Sequence, residues 1–412
     1  MRFFRYNCGP ANRDKVLELL TEEGFLCRDF AGDAGIMTVS SGPGSLGSSL
    51  AHYFGYIYIQ DISSTLPVML LNPSQGSTVL DMCASPGSKT SQLARAVGPA
   101  GMVVANEPNQ SRLATLRANL KRLNLINVIT SGYSGQDISP EDWTFDYILL
   151  DVPCSGWGTV NKNAAATRVW TKDNVSSLIA LQKELLRNAA KLLSPGGKLV
   201  YSTCTTNPAE NEEQIFQARK ELPLKSLETG FELPGQNFFP DIETTNPGMM
   251  RVKGAQIGGQ DFFMALLTTD REVKPVRKKN RPANKSRPPE PVAFGKDMRQ
   301  PESGALWGFS DNVFFVPEQA WELFGRGLLA HGIHVGKLRG KNFILSPRMR
   351  IFLPERPSRS DFIVSDPDQI KRLVSGQSLI HPSSKNLVGF YWKGLALGWL
   401  KIKNNRLFWS DR

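Results

Sequence analysis

The sequence has few of the residues that mark several common classes of protein. Its 412 residues include five cysteines, Cys8, Cys27, Cys83, Cys154 and Cys204, and no two form a CxxC pair. An odd number without such pairs argues against a disulfide scaffold and a structural zinc site. No apolar run approaches the roughly 18 residues that span a bilayer, and the opening MRFFRYNCGP does not resemble a signal peptide. We therefore predict a cytoplasmic protein with no membrane segment and no bound metal.

Positively charged residues outnumber negatively charged ones. The formal net charge is +11 in a chain that is 41% hydrophobic and 21% charged. This composition is typical of a globular protein with sizeable cores. The positive excess is compatible with an ordinary basic protein and equally with a polyanionic partner, of which nucleic acid is the simplest.

Strand and helix patterns alternate through the middle of the chain. The predicted strands cover residues 78–82, 102–106, 128–130, 145–150, 198–202 and 261–268. Helices are predicted over 111–123, with Leu113, Leu116 and Leu120 on one face, and over 174–193, where SPGG follows. This alternation predicts an α/β fold with a doubly wound, mostly parallel sheet.

The flanking regions predict further domains. Residues 1–75 form a small α/β unit whose first helix runs from Asn12 or Arg13 to Glu23, and residues 76–270 form the doubly wound domain. The stretch 271–291 is rich in Pro, Lys and Arg and reads as a linker. Residues 292–412, with frequent glycines and short strands, predict a small β-rich domain.

The loop DMCASPGSKT, residues 81–90, follows the first strand of the central domain and opens a helix. It lacks the GxxxxGK[ST] of a P-loop and the GxGxxG of a dinucleotide site. A nucleoside cofactor without phosphates, such as S-adenosylmethionine, needs neither motif. Glu107 ends the next strand, at about the interval where an acid meets the ribose hydroxyls in doubly wound folds. We therefore predict an adenosine site here.

Two further strands run into cysteines. FDYILLDVPCSG leads to Asp151 and Cys154, and LVYSTCT leads to Cys204. Ligands bind at the carboxyl ends of the strands in such sheets, so these side chains should meet beside the cofactor. None of the four histidines lies in residues 76–270, which makes a Cys–His pair improbable as the catalytic unit. A helix capped by Asn207, together with Lys89, is expected to favour the thiolate of Cys204.

A thiolate, a carboxylic acid and a methyl donor suit alkylation at C5 of a pyrimidine. That carbon is a poor nucleophile until a thiolate adds at C6, and a carboxyl group at N3 stabilises the charge that develops. Covalent catalysis of this kind divides one difficult step into several easier ones. The target base has to leave its stack, so an unpaired or flipped cytosine is expected.

The motifs GYIYIQDISSTLP, DMCASPGSKT, DVPCSG, LSPGGKLVYSTCT and NPAENE occur here in one order, across about residues 54–268. In this the chain resembles the NOL1/NOP2/Sun RNA cytosine-C5 methyltransferases, and most closely their RsmF-like bacterial branch, which acts on small-subunit (16S) ribosomal RNA. The resemblance implies that Cys204 is the nucleophile, that Cys154 assists product release and that Asp151 meets N3 and lies close to the cofactor.

The resemblance also implies a Rossmann-like class I methyltransferase core that binds S-adenosylmethionine. The implied cofactor contacts are Glu107, Ser134, Asp151 and the loop residues Cys83, Ala84, Ser85, Pro86, Gly87, Ser88 and Lys89. The family usually has Asp-Gly where this chain has SGYSGQD, so the adenine contact is either Ser134, by direct alignment, or Asp137.

The flanking domains resemble RNA-binding modules of the same family. Residues 292–412 are similar to a PUA-like domain, and their Tyr391, Trp392, Lys393, Trp399, Lys401 and Lys403 either contact RNA or, for most of the aromatic residues, form the domain's core. The expected partner is therefore RNA, and the expected state is a monomer. A methyltransferase for transfer RNA and a catalytically idle ribosome-assembly factor are the alternatives.

Overall fold

The structure is a computed structural model that describes residues 2–31, 35–139, 144–157, 172–228, 241–257, 259–270, 290–321, 330–340 and 342–411. Within these ranges, no helix combines the length and apolar character needed to cross a bilayer. Most of the predicted linker, residues 271–289, lies outside the described residues.

The N-terminal region folds as the expected small α/β unit. Its strands and helices, in chain order, are β1 (Arg2–Tyr6), α1 (Arg13–Glu22), β2 (Leu26–Ala31), β3 (Ile36–Ser41), α2 (Leu50–Tyr53) and β4 (Ile57–Ile59). The four strands form an antiparallel sheet in the order β2-β3-β1-β4. The helix predicted from Val16, Leu17 and Leu20 ends before Gly24, which has a φ of +87°. A left-handed residue at this position is a common helix terminator.

The central region alternates strands and helices as the sequence predicts. Its elements are α3 (Leu66–Leu71), β5 (Thr78–Asp81), α4 (Ser88–Val97), β6 (Met102–Asn106), α5 (Gln110–Leu123), β7 (Val128–Ser131), β8 (Phe145–Asp151), α6 (Lys172–Leu192), β9 (Leu193–Thr203) and α7 (Glu212–Glu221). The strands β9, β8, β5, β6 and β7 lie side by side and are all parallel. Leu113, Leu116 and Leu120 are buried on one face of α5. The predicted doubly wound α/β fold is confirmed.

The end of α6 differs in one detail from the prediction. The helix stops at Leu192 as expected, but SPGG does not form a loop, because β9 already begins at Leu193. Phe145 of β8 pairs with Leu193 and Tyr147 pairs with Lys198, so Ser194–Gly197 form extra residues between two paired positions. Gly196, with a φ of +69°, allows this irregularity.

Antiparallel strands extend the parallel sheet on the β9 side. They are β10 (Lys225–Ser226), β11 (Ile242–Asn246), β12 (Met249–Val252) and β13 (Phe262–Thr268). β13 pairs with β9, β12 and β10. Of these four strands, the periodicity predicted β13, which is almost continuously apolar and buried.

The C-terminal region contains two five-stranded sheets. Its elements are β14 (Glu290–Val292), β15 (Ala305–Phe309), β16 (Asn312–Val316), β17 (Ala330–His331), β18 (Ile333–Arg339), β19 (Asn342–Leu345), β20 (Phe362–Val364), α8 (Pro367–Val374), β21 (Leu379–Ile380), β22 (Leu387–Trp392), β23 (Leu395–Lys403) and β24 (Arg406–Phe408). The sheet orders are β14-β15-β16-β18-β19 and β20-β22-β23-β24-β21. The β-rich character is confirmed, whereas the predicted domain limits and the PUA-like identity stay predictions. The last two residues of the predicted linker belong to β14.

The aromatic residues named for this region form its core. Tyr391, Trp392 and Trp399 are buried, and their polar atoms donate to the carbonyl oxygens of Pro354, Ser365 and Met349. Lys393 pairs with Glu18 and Glu22 of α1, while Lys401 and Lys403 are exposed. The structure thus decides between the two interpretations of these aromatic residues in favour of packing.

One buried arginine joins the three regions. Arg350 donates hydrogen bonds to the carbonyl oxygens of Phe54 and Gly55 in the N-terminal region, and to those of Arg122 and Leu123 at the end of α5. Its guanidinium also lies 4.4 Å from the centre of the Tyr56 ring. A cation at the carboxyl end of a helix is favourable. We call this contact the Arg350 junction.

Candidate active site at the carboxyl edge of the central sheet

Two adjacent strands bring the predicted catalytic residues together. β8 ends at Asp151 and β9 at Thr203, and the two strands are paired so that Asp151 lies opposite Ser202. The Val152 amide donates to the Ser202 carbonyl, which keeps the two chain segments together past the paired residues. Cys154 and Cys204 follow immediately on the two segments. The parallel arrangement therefore places both cysteines at the same edge of the sheet.

The two cysteine side chains are in contact. Their Sγ atoms are 3.1 Å apart, and the Cys204 amide donates to Cys154 Sγ at 3.4 Å. Both are free thiols, and both residues are half-buried, not sealed in the core. We call Cys154 and Cys204 the thiol pair.

Electrostatics distinguish the members of the pair. The pKa of Cys204 is lowered, because its sulfur accepts a hydrogen bond from the Cys154 thiol; the cation of Lys89 lowers it further, while burial and Asp151 act in the opposite direction. The same hydrogen bond, with burial, raises the pKa of Cys154. The hydrogen bond therefore favours the proton on Cys154 and the thiolate on Cys204. A thiolate is the reactive form of cysteine.

The helix predicted after Cys204 is not continuous. Asn207 caps a short 3₁₀ turn, Pro208–Glu210, by accepting from the Ala209 amide at 3.2 Å. Asn211, with φ −116° and ψ −105°, then interrupts the chain before α7 begins at Glu212. The predicted cap is correct, but the prediction of one helix that acidifies Cys204 is wrong. The largest lowering of the Cys204 pKa comes instead from the Cys154 thiol, and the lowering expected from Lys89 is present as well.

Glu210, whose role the sequence did not reveal, ties the two cysteine segments together. It is fully buried, and its carboxylate accepts from the Ser155 amide at 2.9 Å, the Ser155 hydroxyl at 2.5 Å, Gln182 Nε2 at 3.0 Å and Asn207 Nδ2 at 3.0 Å. Ser155 is the neighbour of Cys154, and Asn207 is three residues beyond Cys204. The only sequence signal was its position as the third residue of a helical turn, where glutamate usually reaches back to its own cap.

Lys89 connects the cofactor loop to the same edge. Its Nζ lies 2.8 Å from Asp151 Oδ2 and donates to Ser64 Oγ at 2.8 Å. Asp151 Oδ1 accepts from Ser202 Oγ at 2.7 Å. Lys89 is nearly buried, so the ion pair fixes both side chains. As found, Asp151 is a hydrogen-bond acceptor.

The loop between β5 and α4 has the shape of a backbone cradle. The Ala84 amide donates to the Asn106 carbonyl, and the Gly87 amide donates to the Ala84 carbonyl. Gly87 has a φ of +104°, and a Cβ there would lie 3.0 Å from Leu116. From the N-terminal region, Arg5 donates to the Ser88 carbonyl at 2.9 Å. Cys83 to Lys89 are therefore held from both sides.

Two buried carboxyl groups flank this loop. Asp81 Oδ2 accepts from Thr90, whereas Asp81 Oδ1 has no hydrogen-bond partner within the described part of the chain. Burial raises the pKa of Asp81 to about 7. Glu107 accepts from the Asn109 amide at 3.0 Å and lies 3.3 Å from Arg112. These acceptors suit a ligand with an ammonium group and ribose hydroxyls, so the residues fit S-adenosylmethionine.

The third predicted cofactor segment follows β7. Ser134 is half-buried and precedes a 3₁₀ turn, Gly135–Asp137, in which the Asp137 amide donates to the Ser134 carbonyl. Asp137, the last residue of this turn, is exposed. The position of Ser134 favours it over Asp137 as the adenine contact. Over the ranges that the structure describes, no group of three His, Cys, Asp or Glu residues could hold a metal ion.

The fold and this edge define an S-adenosylmethionine-dependent methyltransferase. The sequence profile of the 16S rRNA methyltransferase RsmB/F family matches residues 68–268. The ribosomal RNA small subunit methyltransferase F of Erwinia tasmaniensis is 32% identical over 338 residues, which cover 77% of this chain and 69% of the relative. The chain belongs to the RsmB/F family, and the predicted resemblance, enzyme class and cofactor are confirmed.

Other relatives match a shorter part. The enzyme of the same name from Salmonella heidelberg is 40% identical over 229 residues, which cover 54% of this chain and 47% of the relative. A methyltransferase homologue from Pyrococcus horikoshii superposes with a TM-score of 0.55 at 31% identity, covering 65% of this chain and 86% of that one. NSun6 from Pyrococcus horikoshii gives 0.50 at 27% identity, covering 57% and 60%.

Proposed function

We propose that this chain methylates C5 of a cytidine in small-subunit ribosomal RNA, in the cytoplasm and as a monomer, through a covalent bond between Cys204 and C6 of the base. The observation that carries the proposal is the thiol pair, with sulfurs 3.1 Å apart beside the Lys89–Asp151 ion pair. The names of the relatives in Erwinia and Salmonella support the choice of RNA.

Cys204 begins the reaction in this proposal. Its thiolate adds to C6, and the electrons of the C5–C6 double bond move toward N3 as the bond to sulfur forms. S-adenosylmethionine, when bound, supplies the electrophilic methyl group that C5 accepts. The thiol of Cys154 and the charge of Lys89 lower the pKa of Cys204 and so favour its thiolate before the attack.

Asp151 has two states to adopt. Paired with Lys89, it is an acceptor, and it can receive a hydrogen bond from the exocyclic amine of cytosine. To donate to N3 the carboxyl group has to carry a proton. In either state the carboxyl group orients the base against Cys204.

Cys154 is placed for the last step. After methylation, C5 carries a proton that has to leave before the Cys204–C6 bond breaks and the double bond re-forms. In this step Cys154 first loses its own proton to solvent, and its thiolate then takes the proton from C5. The C–H electrons re-form the C5–C6 double bond, and the Cys204–C6 bond breaks with its electrons returning to Cys204, whose sulfur lies 3.1 Å from that of Cys154. We assign to it the release of the methylated base.

The proposal is tested with labelled cofactor. Purified protein is incubated with tritiated S-adenosylmethionine and small-subunit RNA from a strain that lacks the enzyme, and the labelled nucleoside is identified as 5-methylcytidine. Bisulfite sequencing of total RNA from the same strain locates the cytidine. Label in transfer RNA alone would contradict the choice of substrate, and absence of label from all RNA would favour the idle assembly factor.

A further inference from the structure

The sheet of β14, β15, β16, β18 and β19 has two unlike faces. One face is buried and consists of Leu306, Val313, Phe315, Ile333 and Val335. The opposite face carries the partly buried rings of Trp307, Phe309, Phe314 and His334, which we call the aromatic face. Trp307 and Phe314 also pack against a second core that includes Val316 and Ala320, whereas the adjoining ring of Trp321 is 39% exposed, so the accessible part of this face remains to be explained.

The rings of the aromatic face form a continuous row. Trp307 of β15 is directly opposite Phe314 of β16, and Phe314 is opposite His334 of β18. The Phe309 and Phe314 rings are 5.7 Å apart. Trp321, which is 39% exposed, stacks on Trp307 with ring centres 3.8 Å apart and planes inclined by 16°. The stack shows that this face accepts a flat ring in parallel contact.

The histidines near this row are uncharged rings at neutral pH. Burial, with a contribution from Lys121 and Lys337, lowers the pKa of His334 to about 4. Burial and Arg117 lower the pKa of His331, whose ring lies 5.8 Å from Phe314. They therefore add stacking area and no charge.

Cations border the aromatic face. Lys337 lies opposite Asn312 on the same side of the sheet as Phe314, and it is exposed. Arg117 and Lys121 come from one side of α5. Within the described ranges, none of these three cations forms an ion pair with a carboxylate. Asp411, the carboxylate that acts on Lys121, is bound by Arg348.

We propose that the aromatic face, with Trp321 and the cations Arg117, Lys121 and Lys337, binds unpaired nucleotides of the RNA substrate outside the catalytic site. Bases stack on the rings, and backbone phosphates meet the cations, which is the combination that binds single strands with little sequence preference. This inference rests on the proposed function, because it takes the occupant to be the same RNA.

The position of the face suits this task. β17, which immediately precedes β18, pairs with β7 and so adds to the edge of the central sheet. Five strand spacings separate β17 from β9, which corresponds to roughly 24 Å. A few nucleotides of single strand can cover that span, so RNA whose target cytidine is at Cys204 can reach the aromatic face.

A protein partner and a second copy of this chain are the other possible occupants. The concentration of cations beside the rings, with no carboxylate bound to them among the described residues, favours RNA, because interfaces between proteins are depleted of lysine at their centres. Binding experiments with Trp321→Ala distinguish RNA, a protein partner and a second copy of the chain.

The experiment measures RNA affinity of the full-length protein by anisotropy of a labelled unpaired oligonucleotide and of a matched duplex. Trp321→Ala is expected to weaken binding of the unpaired oligonucleotide about tenfold, and Trp321→Phe to restore most of it. Lys337→Gln should lower the slope of log K against log salt by roughly 0.7. The matched control is Phe216→Ala, because Phe216 of α7 is also 39% exposed, and no change is expected.

Methylation kinetics connect the face to the reaction. In Trp321→Ala, the KM for RNA should rise by about the same tenfold factor, while the KM for S-adenosylmethionine stays constant. Wild-type protein that binds unpaired RNA through Trp321 yet methylates no RNA would contradict the proposed function and leave this inference standing.

Three results would overturn the inference itself. The first is unchanged affinity of Trp321→Ala for unpaired RNA while the wild type methylates ribosomal RNA. The second is weaker binding of that variant to ribosomal particles without weaker binding to naked RNA, which would identify a protein partner. The third is a wild-type dimer in sedimentation that Trp321→Ala dissociates, which would identify a second copy of the chain.

Discussion

The Arg350 junction is a buried cluster of polar groups and the thiol pair, with its neighbours, a partly buried one, and they differ in how completely those groups are satisfied. At the junction, one guanidinium meets four carbonyl oxygens and an aromatic ring. At the catalytic edge, two thiols touch without a covalent bond, and Asp81 Oδ1 lacks a partner among the described residues. The first arrangement fixes regions against each other, whereas the second leaves capacity for ligands.

The largest effect is expected when the nucleophile is removed. Cys204→Ala should lower the rate of methyl transfer by at least about a thousandfold, because the thiolate that bonds to C6 in the proposed reaction is lost. The melting temperature should change little, since the residue is half-buried. The assay is incorporation of labelled methyl groups, with Cys27→Ala as a control that removes a half-buried thiol elsewhere. Substantial activity in Cys204→Ala would assign the nucleophile to another residue.

At the Arg350 junction we expect a large loss of stability and little loss of activity. Arg350→Ala should lower the free energy of unfolding by about 3–5 kcal/mol, because four carbonyl oxygens lose a charged donor. Urea denaturation measures this loss. Activity per folded molecule at low temperature should stay within a few-fold of the wild type. Arg219→Ala, an exposed arginine on α7, is the matched control. A large loss of catalysis in folded Arg350→Ala would remove the distinction between the two clusters.

Lys89→Met tests how far the cation of Lys89 lowers the pKa of Cys204. Removal of this cation raises the pKa of Cys204, so the thiolate forms at higher pH. Alkylation of Cys204 by iodoacetamide at neutral pH should slow by about tenfold for each pKa unit. The rate is followed by mass spectrometry between pH 6 and 9 without cofactor, beside the exposed-lysine control Lys220→Met. An unshifted profile would mean that the thiol pair alone sets the pKa.

The smallest expected effect concerns Asp81. Its pKa is about 7 in the folded protein and 3.8 when unperturbed, so between these values the folded state holds a proton that the unfolded state does not. Wild-type stability therefore falls as the pH rises from 4 to 7 on account of this group. Asp81→Asn does not titrate and should be more stable than the wild type by about 1–2 kcal/mol at pH 8.

The same substitution should weaken binding of S-adenosylmethionine. Chemical denaturation at pH 5 and pH 8 measures the gain in stability, and calorimetric titration measures the cofactor affinity. Equal stability differences at the two pH values would show that Asp81 does not carry the buried proton.

The sequence predicted the elements whose signal is local. Alternating strands and helices, the five central strands and the cysteines at the ends of β8 and β9 follow from periodicity and from the rule that parallel strands end at one edge. The helix end at Leu192 and the cap at Asn207 are likewise decided by neighbouring residues.

Long-range packing decided what the sequence did not predict. Glu210 has the position of a capping residue, yet it binds Ser155, which is 55 residues away. β17 has two residues and is a strand only because β7 is adjacent. Tyr391 and Trp392 are fully buried in one C-terminal sheet while Trp307 and Phe314 are only partly buried on the other, and their local sequences are equally aromatic.

The central claim is a transient bond between Cys204 and the pyrimidine ring, and trapping that bond tests it most directly. Cys154→Ala protein is incubated with S-adenosylmethionine and small-subunit ribosomal RNA and separated on a denaturing gel. Loss of the Cys154 thiol should block release, so a protein–RNA adduct should accumulate whose cross-linked peptide contains Cys204, and it should be absent from Cys154→Ala/Cys204→Ala. An adduct that persists in the double variant, or full turnover by Cys154→Ala without any adduct, would contradict the account.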